Sequence, residues 1–209
     1  MAKEPVAGRV KTRLCPPCTP EEAAALAMAL LGDTLAAVAA TPAAWRAVAL
    51  DGDPGDWLPP GFGLVAQRGN GLDERLAAAF ADAGAPAVAI AADTPQVTPQ
   101  LLGLALSTLS EPGIDAVIGP TDDSGYWALG LRCADPRAVE GVPMSNALTL
   151  TAQRQRLADL GLQVAELPAL RDVDTMADAR AVAGDIPHSR LALALAALEG
   201  VTRRVPPRL

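Results

Sequence analysis

The chain has 209 residues, half of them hydrophobic and only 3% aromatic, and carries a formal net charge of −7. That length suits one well-buried domain built on small aliphatic residues and does not require a second. The acidic balance argues against a nucleic-acid binder that works through bulk electrostatics, and three cysteines are too few for a disulfide framework, so a reducing cytoplasm is the expected compartment. No run is expected to cross a membrane, and no hydrophobic signal-peptide core follows the basic N-terminus.

Residues 3–14 concentrate positive charge. Lys3, Arg9, Lys11 and Arg13 flank Gly8, and the only two lysines of the chain are among them. Glycine lets the backbone turn freely and approach a ligand closely. Backbone N–H groups just ahead of a helix suit an anion. On an acidic protein this reads as a loop for a di- or triphosphate, the alternative being a solvated basic turn. The spacing is neither that of a P-loop nor that of a Rossmann fingerprint.

A helix is predicted over 20–40: Thr19 can N-cap it, Pro20 suits the first turn, and Glu21 and Glu22 favour its positive end. Leu26, Leu30, Leu31, Leu35 and Val38 form its apolar stripe. Short strands follow over 45–50 and 63–67, separated by a Gly/Asp/Pro loop, and a helix over 72–83. Residues 87–92 are continuously apolar, the pattern of a strand buried on both faces, and end in Asp93-Thr94-Pro95. Thr98 can cap a helix over 99–109. Strands over 114–118 and 126–131, a helix over 146–160, a strand over 163–167, a helix opened by Thr175 with Asp178 and a last helix over 189–198 complete the chain. The tail over 202–209 is expected to fray. Alternating strands and helices predict a single α/β domain over 1–209 with a mostly parallel sheet.

In open α/β sheets ligands bind outside the carboxyl ends of the strands. Asp93, Asp122, Asp123 and Asp174 all fall there. A Mg²⁺ or Mn²⁺ ion prefers a few carboxylate oxygens together with phosphate and water, so Asp93, with Asp123 or Asp174, could neutralise a diphosphate held by the basic loop. Asp172 and Asp174 precede a helix and could instead cap it. Ser124 and Gly125 make a close turn beside Asp123. Tyr126 and Trp127 would then flank a base or an acceptor, or simply pack. Cys15 and Cys18 have C-x-x-C spacing, but a zinc site would also need Cys133 and His188 to converge on them. No role is assigned to the cysteines, and His188 reads as a helix-entry residue. The absence of a G-x-S-x-G elbow argues against a serine hydrolase.

Five stretches occur in a familiar order: AKEPVAGRVKTRL at 2–14, QRGNGLDERLAAAF at 67–80, AADTP at 91–95, GPTDDSGYWALG at 119–130 and DVDTMAD at 172–178. Together they resemble the small GT-A-like glycosyltransferases associated with arsenosugar biosynthesis and with radical-SAM enzymes. A more distant similarity is to phospholactate guanylyltransferase and molybdenum-cofactor guanylyltransferase. The resemblance implies a GT-A-like, Rossmann-like domain with a mixed, mostly parallel sheet flanked by helices. It implies donor phosphates on Arg9, Lys11 and Arg13, with Lys3 in support and Gly8 at the turn. Asp93 and Asp123 carry over from the family's strand-end and GP-loop motifs as the expected catalytic carboxylates. The strand-end reading of the residues themselves, and not the resemblance, makes Asp93, Asp123 and Asp174 the expected metal set and Ser124, Gly125 and Tyr126 the expected acceptor pocket.

The sequence departs from that family at Ala92, where glycine is usual, at Ser124, where a second glycine is usual, and at 142–145, near which a tryptophan is often found. No acceptor is therefore carried over. An apolar strand precedes the Lys-x-Pro motif in related chains, so the first strand is expected to be truncated. The expected activity is metal-dependent glycosyl transfer from a nucleotide sugar to a small-molecule acceptor. The alternatives are nucleotidyl transfer from an NTP to a phospho-acid, with release of pyrophosphate, and a non-catalytic nucleotide-binding protein. No nucleic-acid or membrane partner is expected.

Overall fold

A computed structural model describes residues 1–202. Strands β1 (Ala2–Lys3), β2 (Ala47–Asp51) and β3 (Gly63–Ala66) form a parallel sheet in that order. Strands β4 (Ala87–Ile90), β5 (Ala116–Pro120), β6 (Tyr126–Leu131) and β7 (Val164–Glu166) form a second, ordered β4-β6-β5-β7. The two meet at Met1, whose amine donates to the Ile90 carbonyl at 2.9 Å. The helices are α1 (Pro20–Ala40), α2 (Leu72–Ala83), α3 (Pro99–Ser110), α4 (Thr149–Asp159), α5 (Met176–Asp185) and α6 (Arg190–Thr202). The expected fraying of 202–209 concerns residues that, beyond Thr202, lie outside those described.

The sheet is mixed because of β6, which runs antiparallel to both β4 and β5. The link from β5 to β6 is only residues 121–125, too short for the crossover that a parallel neighbour needs. The side chain of Trp127 on β6 is fully buried and donates its Nε1–H to the Pro168 carbonyl at 3.0 Å. Its indole lies so close to Gly119 that no Cβ would fit there. Trp127 packs with Val117, Leu102 and Leu109 in one cluster, while Leu129 and Leu131 pack with Leu76, Phe80 and Leu157 in another.

Two expectations need correction. Strand β4 is shorter than 87–92, and its residues are only half-buried. Strand β1, linked to it by the Met1 amine on Ile90, spans only two residues, and a cavity of about 630 Å³, lined by Ala47 and Ala49 of β2 and by Ala87 and Val88 of β4, opens alongside. Helix α1, with 21 residues and a mean hydropathy of 1.8, is after all long and apolar enough to cross a membrane. Its apolar surface is spent on the protein's own core: Leu26 and Leu30 pack on Val173, Met176 and Leu191, while Leu31 and Leu35 pack on Val48 and Leu50. A helix that is apolar all round needs such partners on several sides. Its N-terminus closes a capping box of Thr19 with Glu22.

Candidate active site

The basic loop leaves β1 at Lys3 and is tied back by Glu4 N–H on the Asp51 carbonyl at 2.9 Å. Gly8 has φ 76° with open space around it, so its backbone conformation, and not crowding, favours glycine. Lys11 also sits in the left-handed region, at φ 45°, a cost of roughly 1–3 kcal/mol that the surroundings must offset. Leu14, fully buried against α1 and α5, anchors the end of the loop. The ammonium of Lys11 then reaches across the sheet edge, 2.9 Å from Asp93 Oδ2 and 3.0 Å from Asp174 Oδ1. Burial by itself would lower the Lys11 pKa, but Asp93 and Asp174 outweigh it and hold the ammonium above its ordinary value. Arg13 donates to Asp174 Oδ2 at 2.6 Å. Burial pushes the Asp174 carboxyl up, and Lys11 and Arg13 more than reverse that, leaving it below the usual range.

The acidic groups are brought together by the segment that follows β7. Leu170 N–H donates to the Pro120 carbonyl, Asp122 N–H to that of Leu170, and Val173 N–H to that of Asp93. Residues 170–174 therefore lie across the exits of β4 and β5. Asp123, Asp172 and Asp174 each present a carboxylate oxygen, and these oxygens all lie within 4.8 Å of one another. Burial, then the charges of Asp123, Asp93 and Asp174, push the Asp172 carboxyl up to about 6. Three converging carboxylates, one of them forced toward its neutral form, are a donor set that fits a hard divalent cation. Asp123 is held in place: its Oδ1 accepts from Thr121 Oγ1 at 2.6 Å and from Gly125 N–H at 2.8 Å. Asp122 turns away to an exposed pair with Arg171.

Helix capping does not explain these residues. The cap of α5 is Thr175, in a capping box with Asp178, and that of α3 is Thr98. Asp172 has no ion-pair partner among the described residues, and Asp174 is held by Lys11 and Arg13. Asp93 pairs with Lys11 and lies outside the group of three, whereas Asp172, read from sequence as an equal candidate for a cap, lies inside it. The D-x-D spacing of Asp172 and Asp174 was the signal available for it.

Two cavities adjoin here. The larger, about 700 Å³, is lined by Lys3, Arg9, Lys11 and Arg13 together with Asp93, Asp123, Asp172 and Asp174. The smaller, about 170 Å³, shares Asp123, Leu72 and Asn146 with it and extends over Gly125 and Tyr126. Ser124 is not in its lining. It has φ 73°, and its carbonyl accepts the Leu150 N–H at the start of α4. Gln67 and Asn146 line the larger cavity without having been singled out from sequence. Gln67 donates to the Ala2 and Ala49 carbonyls at 2.9 Å each, stitching β1 to β2. Cys18 is buried with its sulfur 3.4 Å from Met176 Sδ, as part of the core.

The fold is that of nucleotide-diphospho-sugar transferases. A crystal structure from Desulfovibrio desulfuricans, described as a "putative nucleotide-diphospho-sugar transferase", superposes with a TM-score of 0.85 at 27% identity, covering 97% of this chain and 94% of that one. A CMP:2-keto-3-deoxy-manno-octonic acid synthetase complexed with CTP matches with a TM-score of 0.53 at 13% identity, over 76% of this chain and 87% of that one, a likeness of fold alone. No curated protein matches the sequence. Residues 24–146 match a family described as an uncharacterized protein conserved in bacteria (DUF2064), and the chain belongs to that family.

Proposed function

We propose that the protein is a divalent-metal-dependent transferase that takes a nucleotide sugar as donor and passes the glycosyl group to a small-molecule acceptor. The observation that carries this reading is the 700 Å³ cavity, whose lining joins four cations to four carboxylates, of which Asp123 and Asp172 have no ion-pair partner among the described residues. The neighbour of 27% identity, similar over nearly its whole length and bearing a nucleotide-diphospho-sugar transferase description, supports it.

In this reading Arg9, Arg13 and Lys3 pair with phosphate oxygens of the donor. Lys11 has three N–H donors and spends two on Asp93 and Asp174, so one remains for phosphate. Asp123, Asp172 and Asp174 are the residues that would hold Mg²⁺ or Mn²⁺, and such an ion would stabilise the negative charge that develops on the departing nucleoside diphosphate. Thr121 and Gly125 fix one oxygen of Asp123, and the other is the acceptor for a proton from the incoming nucleophile. A second reading, nucleotidyl transfer from an NTP, is favoured by the number of cations, which suits a triphosphate.

Calorimetric titration of UDP, GDP and their sugars, with Mn²⁺ and with chelator, followed by product analysis, tests the reading. The expected result is metal-enhanced binding of a nucleoside diphosphate and slow release of free sugar from its sugar ester. Pyrophosphate release from an NTP without sugar release would favour the second reading, and no nucleotide binding would overturn both.

A further inference from the structure

The smaller cavity has a chemistry of its own. Its walls are Leu76, Ile90, Trp127, Leu129 and Met144, with Tyr126 at one side. Among the described residues no lysine or arginine lines it, although the adjoining cavity has four. The Met1 amine at its edge is pushed down to about 6 by burial and donates to the Ile90 carbonyl. Among the described residues its one carboxylate is Asp123, at the shared boundary. The Tyr126 hydroxyl donates to Gln153 Oε1 at 3.3 Å and touches Met144 Sδ at 3.5 Å, and Gln153 in turn donates to the Ala138 carbonyl at 2.7 Å. The polar end of the tyrosine is thus committed to α4 and is not free to bind an anion.

An anionic group pushed into the apolar part of this cavity, away from its boundary at Asp123, would be desolvated with no lysine or arginine beside it. An uncharged molecule would give up little hydration and bury apolar surface. We infer that this cavity is the acceptor subsite and that it selects a compact, uncharged alcohol with an apolar body, its hydroxyl directed at Asp123. This rests on the donor reading above and narrows it, because a phospho-acid acceptor is disfavoured. In the transfer, the acceptor oxygen forms a bond to the anomeric carbon of the donor as the bond from that carbon to the phosphate oxygen breaks. The electron pair leaves with the nucleoside diphosphate, and the hydroxyl proton passes to Asp123.

The four methionines allow a direct test. Met144 lines the cavity and Met176 lies in the core between α1, α5 and α6, so their ¹³C-methyl NMR signals serve as reporter and control. Benzyl alcohol and benzyl phosphate are titrated into the full chain with Mg²⁺ and UDP present, and again without them. Benzyl alcohol is expected to shift the Met144 signal saturably in both conditions and leave Met176 unmoved. With UDP present, benzyl phosphate is expected to bind there about tenfold more weakly or worse. Met144→Lys, followed by saturation transfer from the ligands, should reverse the order of the two probes. Benzyl phosphate binding at Met144 as tightly as the alcohol, or no response to either probe, would overturn the inference. Failure of the donor reading is separate: UDP would not bind in calorimetry, while the response of Met144 to benzyl alcohol would persist.

Discussion

The ammonium of Lys11 lies 2.9 Å from a carboxylate oxygen of Asp93, a residue 82 positions away, and its side chain is only 14% exposed. The same nitrogen holds Asp174 at 3.0 Å. Lys11→Ala would leave Asp93 without its ion-pair partner and Asp174 with Arg13 alone. It should cost roughly 1–3 kcal/mol of stability, less than a fully buried pair because both carboxylates are about one-third exposed. Binding of Mn²⁺ alone should tighten, and binding of UDP in chelator should weaken. Asp93→Ala should act in the opposite sense on the nucleotide: Lys11 keeps Asp174 as its single partner, UDP binds more tightly in chelator, and the enhancement by Mn²⁺ persists because Asp123, Asp172 and Asp174 remain. Loss of that enhancement in Asp93→Ala would place the metal on Asp93 instead. Urea denaturation and calorimetry read both variants.

Asp172 makes stability depend on pH in an unusual direction for an aspartate. Its folded pKa, near 6, lies above the ordinary carboxyl value because of burial and three neighbouring carboxylates. The folded state therefore binds its proton more tightly than the unfolded state does. The stabilisation is complete below the unfolded pKa and is lost as pH rises through about 6. Asp174, with its lowered pKa, works the other way, losing stabilisation as pH falls through its folded value. Metal-free melting curves between pH 4 and pH 7, roughly the window between the two Asp172 values, should show a component that declines with pH and vanishes in Asp172→Asn. Mn²⁺ should reverse that decline in the wild type, with release of a proton on binding. An unchanged pH profile in Asp172→Asn would count against this assignment.

The two cysteines of the C-x-x-C pair should behave differently. Cys18 is buried beside Met176, so Cys18→Ser places a hydroxyl in an apolar cluster and should cost about 1–3 kcal/mol. Cys15 is only half-buried, and Cys15→Ser should stay within roughly 0.5 kcal/mol. Neither change should alter nucleotide affinity. Denaturation midpoints and calorimetry check this, and stoichiometric zinc in the purified protein would contradict it.

Ser124 occupies a left-handed conformation at φ 73°, and its carbonyl helps to start α4. Ser124→Gly should relieve strain and stabilise the protein by about 0.5–1 kcal/mol. A β-branched Ser124→Val should destabilise it by more than that. Thermal melting of the two variants should show shifts of opposite sign.

Local chemistry was legible along the chain. Thr19 with Glu22, Thr98 and Thr175 with Asp178 cap the helices predicted from them, and 72–83 and 126–131 have the bounds read from their apolar pattern. Each of these depends on residues within a turn or two of one another, which is the range over which capping and periodicity act. The direction of β6 depends on what it pairs with, and only the assembled sheet shows it lying between β4 and β5. The site is more dependent still on tertiary structure. Lys11 meets Asp174 across 163 positions, and Asp172 joins Asp123 because the strand after α4 adds to β5 and carries residues 170–174 over the sheet edge. Sequence supplied the charges and the likeness to a family. Which carboxylates pair with the basic loop and which converge on one another was decided by tertiary structure, because Coulombic attraction depends on distance in space and not on separation along the chain.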